Sequence, residues 1–450
     1  MAPRPRSWQL TAPMLISSRQ VVRTVAPRLA ANLRSGQWIS PGNRYRTNTT
    51  KRLEGDAGSR GGIRHTDLLE YIVASGPLHC LDGWGYLGRA LNSHVNGDSN
   101  AARHLGYYAE LRAAMAIFAT EGIGVLNTSH YVLTSSQQCQ MFANGGTHPV
   151  TAWVLQRWAS SQAASDLLSG VVVAGGETLG NWLQALNGAV GNPLTHVASD
   201  WLTTWGFDVR RLAEDREARN ESSYRPTRFS SRPAVDAKDA AEFMTALWSV
   251  WEPSSAGVFE QLDRCLVRRT IEAGYHGVMG RHGTPAHFRG VVTHAVQSFG
   301  LTQDYEARWI GFLTRDAERS DPVLIEEAGK RSPVGDARHH MQVISRAAML
   351  LRIATGACLD VLRGAGVTAS DLKFWWEPLG DERGFWGPGD YPSDLTDLWT
   401  DVDDAVSAVD GWTAGSGNLP LSYNTLKSSC PAAVSVLEGC ERIGLWGIGL

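Results

Sequence analysis

The chain has 450 residues and a mass of 49.0 kDa, which suits two or three domains better than one small core. With 43% hydrophobic and 19% charged residues it is not a disordered tail protein, and it has apolar material for packed cores. It has no run of the roughly eighteen apolar residues that a membrane span needs, so no membrane contact is expected.

The net charge of −3 is unevenly placed. Twelve Lys or Arg fall between Arg4 and Arg64, against only Glu54 and Asp56, so the rest of the chain is acidic. With Pro at 3, 5, 13, 27 and 41 and a Gly-rich patch at 55–62, residues 1–62 read as a basic arm suited to a polyanion or an acidic partner. The acid-free stretch to Arg52 also matches an organelle presequence. No apolar signal core follows the first arginines, so secretion is not expected. Six cysteines lie far apart without a C-x-x-C pair, which points to reduced thiols and a cytoplasmic location and against a zinc site. Seventeen scattered tryptophans suit packing between helices.

From His65 onward the periodicity is helical. Helices are predicted at 65–75, 83–94 and, most strongly, 99–121, where Asp98 or Ser99 caps and Gly122 ends the run. Others follow from Thr147 with Pro149 in the first turn, over 207–226, and over 337–364, a long and largely buried segment. In that last helix Arg346 and Arg352 need partners if buried, and acidic residues such as Asp360 and Glu377 are expected to supply them. A Gly/His-rich loop is predicted at 274–290. Strand-like alternation is scarce. The fold class is therefore all-α, as multi-helix bundles, with domains expected at 63–232 and 233–450 after the arm.

Ala102, Arg103, Tyr107, Tyr108, Ala109, Ala113 and Ala114, closed by Gly122, resemble the second helix of HEPN-fold proteins, small helical bundles of prokaryotic toxin–antitoxin and antiphage systems. Arg219-Asn220-Glu221-Ser222-Ser223-Tyr224 resembles a variant of that family's Arg-x4–6-His motif. The resemblance covers about 65–230. It implies a HEPN-like bundle, usually dimeric, that engages RNA or a nucleotide and cleaves RNA without metal, with Arg219, Asn220 and Tyr224 as catalytic residues. Position 224 departs from the family in being Tyr, since an unperturbed phenol titrates near about 10 and is a poor general base. Arg219 would still hold a phosphate, and Tyr224 would orient a 2′-hydroxyl or stack on a base. A purely structural alternative stays open: Asp208, Leu212, Asp215 and Arg219 share a helix face, with Asp215 and Arg219 spaced as an i,i+4 ion pair.

True Arg-x4–6-His spacings occur at Arg60/His65, Arg89/His94, Arg269/His276, Arg281/His287 and Arg289/His294, little more often than chance. The segment 275–294 combines four histidines with Arg281 and Arg289, and has no carboxylate between Glu272 and Asp304. Cationic groups beside glycines suit a phosphate, so Arg281, His282, His287 and Arg289, with Arg216, are the expected phosphate contacts. No metal ligand set and no cofactor is expected. The chain has no P-loop, His-Glu-x-x-His, Gly-x-Ser-x-Gly or dinucleotide fingerprint. Two functions follow. The first is an RNA- or nucleotide-engaging protein of a defence system, as a homodimer or complex subunit with possible protein partners and endoribonuclease activity. The second is a non-catalytic scaffold or adaptor binding partner proteins or nucleic acid.

Overall fold

The computed structural model describes residues 19–190, 201–224, 235–254, 257–333, 336, 338–415 and 421–449, with the backbone alone for 187–190, 201 and 221–224. Helices α1 (Arg19–Arg34) and α2 (Thr49–Ala57) precede the long α3 (His65–Val95) and α4 (Ser99–Thr120). A three-stranded antiparallel sheet follows, β1 (Ile123–Gly124), β2 (Ser129–Ser135) and β3 (Gln138–Asn144). Next come α5 (Thr147–Ala159), α6 (Gln162–Val171), the hairpin β4 (Val173–Ala174) and β5 (Glu177–Thr178), α7 (Leu179–Val190), α8 (Trp201–Thr204) and α9 (Arg211–Tyr224). Beyond these lie α10 (Ala237–Ser249), α11 (Glu260–Met279), α12 (Pro285–Gln297), α13 (Gln303–Leu313), α14 (Val323–Gly329) and α15 (His339–Gly364). Last are α16 (Lys373–Arg383), α17 (Trp399–Gly415), α18 (Tyr423–Ser429), α19 (Pro431–Leu437) and α20 (Glu441–Ile448). The fold is all-α, about 70% helical with a few short strands.

Three helices form the centre. α4 begins where Asp98 accepts from the Ala101 N–H at 3.0 Å, and it is buried on nearly every side by α3, α9 and α15. α3 runs unbroken through Pro77, so the two helices expected at 65–75 and 83–94 are one. Glycines on α3 allow the close packing: a Cβ at Gly83 would lie 2.5 Å from Leu351, and one at Gly88 would lie 2.3 Å from the Glu438 carbonyl. One hydrophobic cluster extends from Val22 to Ile448. Among the described residues only α15 has the length and hydropathy of a membrane span, and its apolar window is 89% buried inside the protein.

Two expected features differ in the fold. Residues 19–34 of the expected arm form a helix that buries Val22, Val25, Leu29 and Leu33, and its basic residues meet the acidic body: Arg19 reaches Glu121 at 2.6 Å and Arg23 reaches Asp360 at 3.1 Å. The expected loop at 274–290 is helical instead. α11 continues to Met279, a 3-10 turn covers Gly280–His282, and α12 starts at Pro285 under the Thr284 cap.

The tryptophans pack between helices, as Trp84 does against Trp251 with ring centroids 5.6 Å apart. The six cysteines are all free. Burial pushes His94, His130 and His339 each down to about 4. These imidazoles are neutral in the fold, but in the unfolded chain they take up protons near the ordinary 6.5. The unfolded state therefore binds more protons below that value, and stability falls with pH. The contribution of these three groups to the urea unfolding midpoint is expected to be constant above pH ~7 and to be lost between pH ~6.5 and ~4. His94→Asn with His339→Asn should reduce that loss.

Candidate functional site

The site is built on a buried ionic seat. Arg346 of α15 and Asp215 of α9 are both fully buried, and the guanidinium donates to the carboxylate at 3.1, 2.7 and 2.6 Å. Glu110 of α4 lies 3.4 Å from the Arg346 Nε, and His339 lies 3.5 Å from Asp215. Burial, followed by the Asp215 charge, pushes the Glu110 carboxyl well above its ordinary range, so Asp215 is the stronger counter-charge to Arg346. Asp215, the sequence candidate for an ion pair with Arg219, is thus committed to Arg346. Arg352 is likewise paired with Asp263 rather than with Asp360 or Glu377.

This seat fixes α9 across α4 and places Arg219 beside the double tyrosine. The Arg219 guanidinium donates to the Tyr108 hydroxyl and to the Asn220 Oδ1 at 2.8 Å, and it lies 5.2 Å from the Tyr108 ring centroid. Tyr108 stacks on Tyr86 at 5.4 Å, and Arg89 lies 4.4 Å from the Tyr86 ring centroid. Guanidinium and phenol groups therefore form a continuous series across α3, α4 and α9, with both rings half-buried. Such a surface suits flat, anionic ligands.

His148, in the first turn of α5, joins the cluster. Its Nδ1 is 2.9 Å from the Tyr107 hydroxyl. Burial raises Tyr107, which stays a phenol. Burial, then Arg219 and Arg216, push His148 down, so the imidazole is neutral at neutral pH. Burial and Arg219 act on His104 in the same direction. Behind His148 and Tyr108 opens a cavity of about 280 Å³, lined also by Thr49, Tyr71, His79, Arg112 and Asn127 and by no carboxylate. The Arg112 Nη1 lies 2.9 Å from the His79 Nδ1, and burial drives that imidazole down to about 3, so His79 accepts.

The sequence-predicted residues divide between two places. Arg216, Arg219 and Asn220 lie on α9 near this cluster, and the Tyr224 backbone ends the same helix while its side chain lies outside the described residues. Arg281 and His282 occupy the 3-10 turn on the exposed surface. His287 meets the Tyr275 hydroxyl at 2.9 Å, and Arg289 pairs with Asp316. Those four sit on the 3-10 turn and α12, whereas Arg219 sits on α9. Sequence reasoning missed His148, His79 and Arg112 as site residues. They are brought together by α3, α4 and α5, and no linear spacing marks them. Among the described residues no group of three His, Cys, Asp or Glu could hold a metal ion.

Comparison with known proteins found no matching family model, no matching curated protein and no matching solved structure.

The seat can be tested directly. Asp215→Asn leaves Arg346 without its counter-charge and should cost about 3 kcal/mol or more in urea unfolding. Glu110→Gln puts a neutral group of the same size in its place and should cost about 1 kcal/mol or less.

Proposed function

We propose that this protein engages RNA at the α4–α5–α9 cluster and cleaves it without a metal ion. The observation that carries this reading is the convergence of Arg219, Tyr108, Tyr107 and His148 in one cluster, of which Tyr108 and His148 line a cavity free of carboxylates. Arg219 and Arg112 supply charge for a phosphate, and Tyr86 and Tyr108 offer faces for bases. The HEPN resemblance of residues 65–230 supports the same substrate class and, with it, a place in a defence system.

The chemistry needs His148 as the tautomer whose Nδ1–H donates to the Tyr107 oxygen, leaving Nε2 to take the proton of the ribose 2′-hydroxyl. The 2′ oxygen then attacks phosphorus and the P–O5′ bond breaks. The products are a 2′,3′-cyclic phosphate and a 5′ oxygen that takes its proton from the Tyr108 hydroxyl. Arg219 and Arg112 balance the charge on the phosphorane oxygens.

Labelled single-stranded RNA incubated with the full chain in EDTA should be cut to cyclic-phosphate ends. His148→Ala and Arg219→Ala should lower the rate by about 100-fold or more, and Tyr108→Phe should keep binding while losing rate. Because burial and the neighbouring arginines hold His148 below its ordinary value, the acid limb of the rate should lie below the pH range of an ordinary imidazole. RNA that is neither bound nor cut would overturn the proposal in favour of a scaffold. RNA bound equally well by the Arg219→Ala variant would place the contact elsewhere.

A further inference from the structure

We infer that the cavity enclosed by α1, α6, α11, α15 and α20 is a second ligand site, shaped for an organic oxyanion with an apolar body. It is separate from the Tyr107–His148 cluster and measures about 560 Å³, within the range of small-molecule sites. Five glycines, Gly170, Gly257, Gly356, Gly364 and Gly447, open the space, and Val171, Val258, Phe259 and Leu359 give it apolar walls.

The charges define the ligand. The lining has three guanidinium groups, Arg23, Arg352 and Arg363, and two carboxylates, Asp263 and Asp360. Arg23 takes Asp360 at 3.1 Å, and Arg352 takes Asp263 through both Nε and Nη2. Arg363 has no carboxylate partner among the described residues, which leaves one positive charge over.

Arg352 supplies the anchor. Its side chain is 5% exposed, and Nη2 also donates to the Val171 carbonyl at 2.7 Å. Its Nη1 has no acceptor among the described residues. A Cβ at position 356 would lie 2.8 Å from this nitrogen, so the bare Gly356 keeps the approach clear. Nη1 of this largely buried guanidinium is reachable from the cavity, so a ligand oxygen seated there would gain a charge-assisted hydrogen bond. An oxyanion near Arg352 and Arg363, with its apolar portion against Phe259 and Leu359, uses every uncommitted feature of the lining. A carboxylate and a phosphate monoester share that chemistry.

Isothermal titration of the full chain with octanoate, octyl phosphate, inorganic phosphate and octanol, all below micelle-forming concentrations, tests the site. One or both amphiphilic anions should bind, and the stronger of the two identifies the headgroup. Inorganic phosphate and octanol should each bind at least about tenfold more weakly, for lack of the tail or the charge. Arg363→Gln should weaken the anion about tenfold, and Leu359→Trp should abolish binding by filling the space. Arg28→Gln, a surface change outside the cavity, should leave it unchanged. Failure of both anions to bind, octanol binding as well as octanoate, or equal binding by the Arg363→Gln and Leu359→Trp variants would each overturn the inference. RNA cleavage in the same preparation reads the other site independently.

Discussion

Arg346 is the residue on which the arrangement of the molecule depends. A guanidinium at the centre of a helical core cannot shed its charge, so two other helices must satisfy it. α9 supplies the hydrogen-bonded partner, Asp215, and α4 supplies Glu110, whose carboxyl burial pushes well above its ordinary range. This requirement specifies which helix crosses α4 and at what height. Hydrophobic packing alone would allow α9 to slide along an alanine-rich neighbour, whereas the ion pair holds Asp215 opposite Arg346. Arg219, one turn further along α9, is thereby set against Tyr108.

The same low-dielectric interior that makes this pair expensive also sets the protonation of the site. His79 and His148 are neutral, Tyr107 remains a phenol, and the cations around them are arginines, which keep their charge when partly buried. The cluster thus combines fixed positive charge with uncharged proton donors and acceptors. That combination is suited to a phosphate ester and poorly suited to a cation.

Much of the helical architecture was legible in the sequence. The 99–121 segment has a cap and a terminal glycine that the fold uses, whereas its apolar period marks no single face, because α4 is buried on nearly every side. Other signals were hidden by composition. Thr284-Pro285 is a sound helix start, but the glycines and histidines around it made 274–290 look like a loop. The β2–β3 hairpin escaped because register shifts at His130/Tyr131 and Leu133/Ser135 break its alternation, leaving a short apolar run. The basic N-terminal residues read as an arm because their acidic partners, Glu121 and Asp360, are far away in sequence. Arg219 was found because it sits in a linear motif. His148, His79 and Arg112 were not, because only tertiary packing joins them.

The contact between α3 and the C-terminal helices has a consequence for synthesis. Gly88 abuts the Glu438 carbonyl, Asn92 donates to the Glu438 carboxylate at 2.8 Å, and α20 packs beneath α3 and α15. The apolar flank of a helix made early thus stays uncovered until residues 438–448 emerge from the ribosome. The packing of α3 is therefore completed only after the residues that precede 438 have been made.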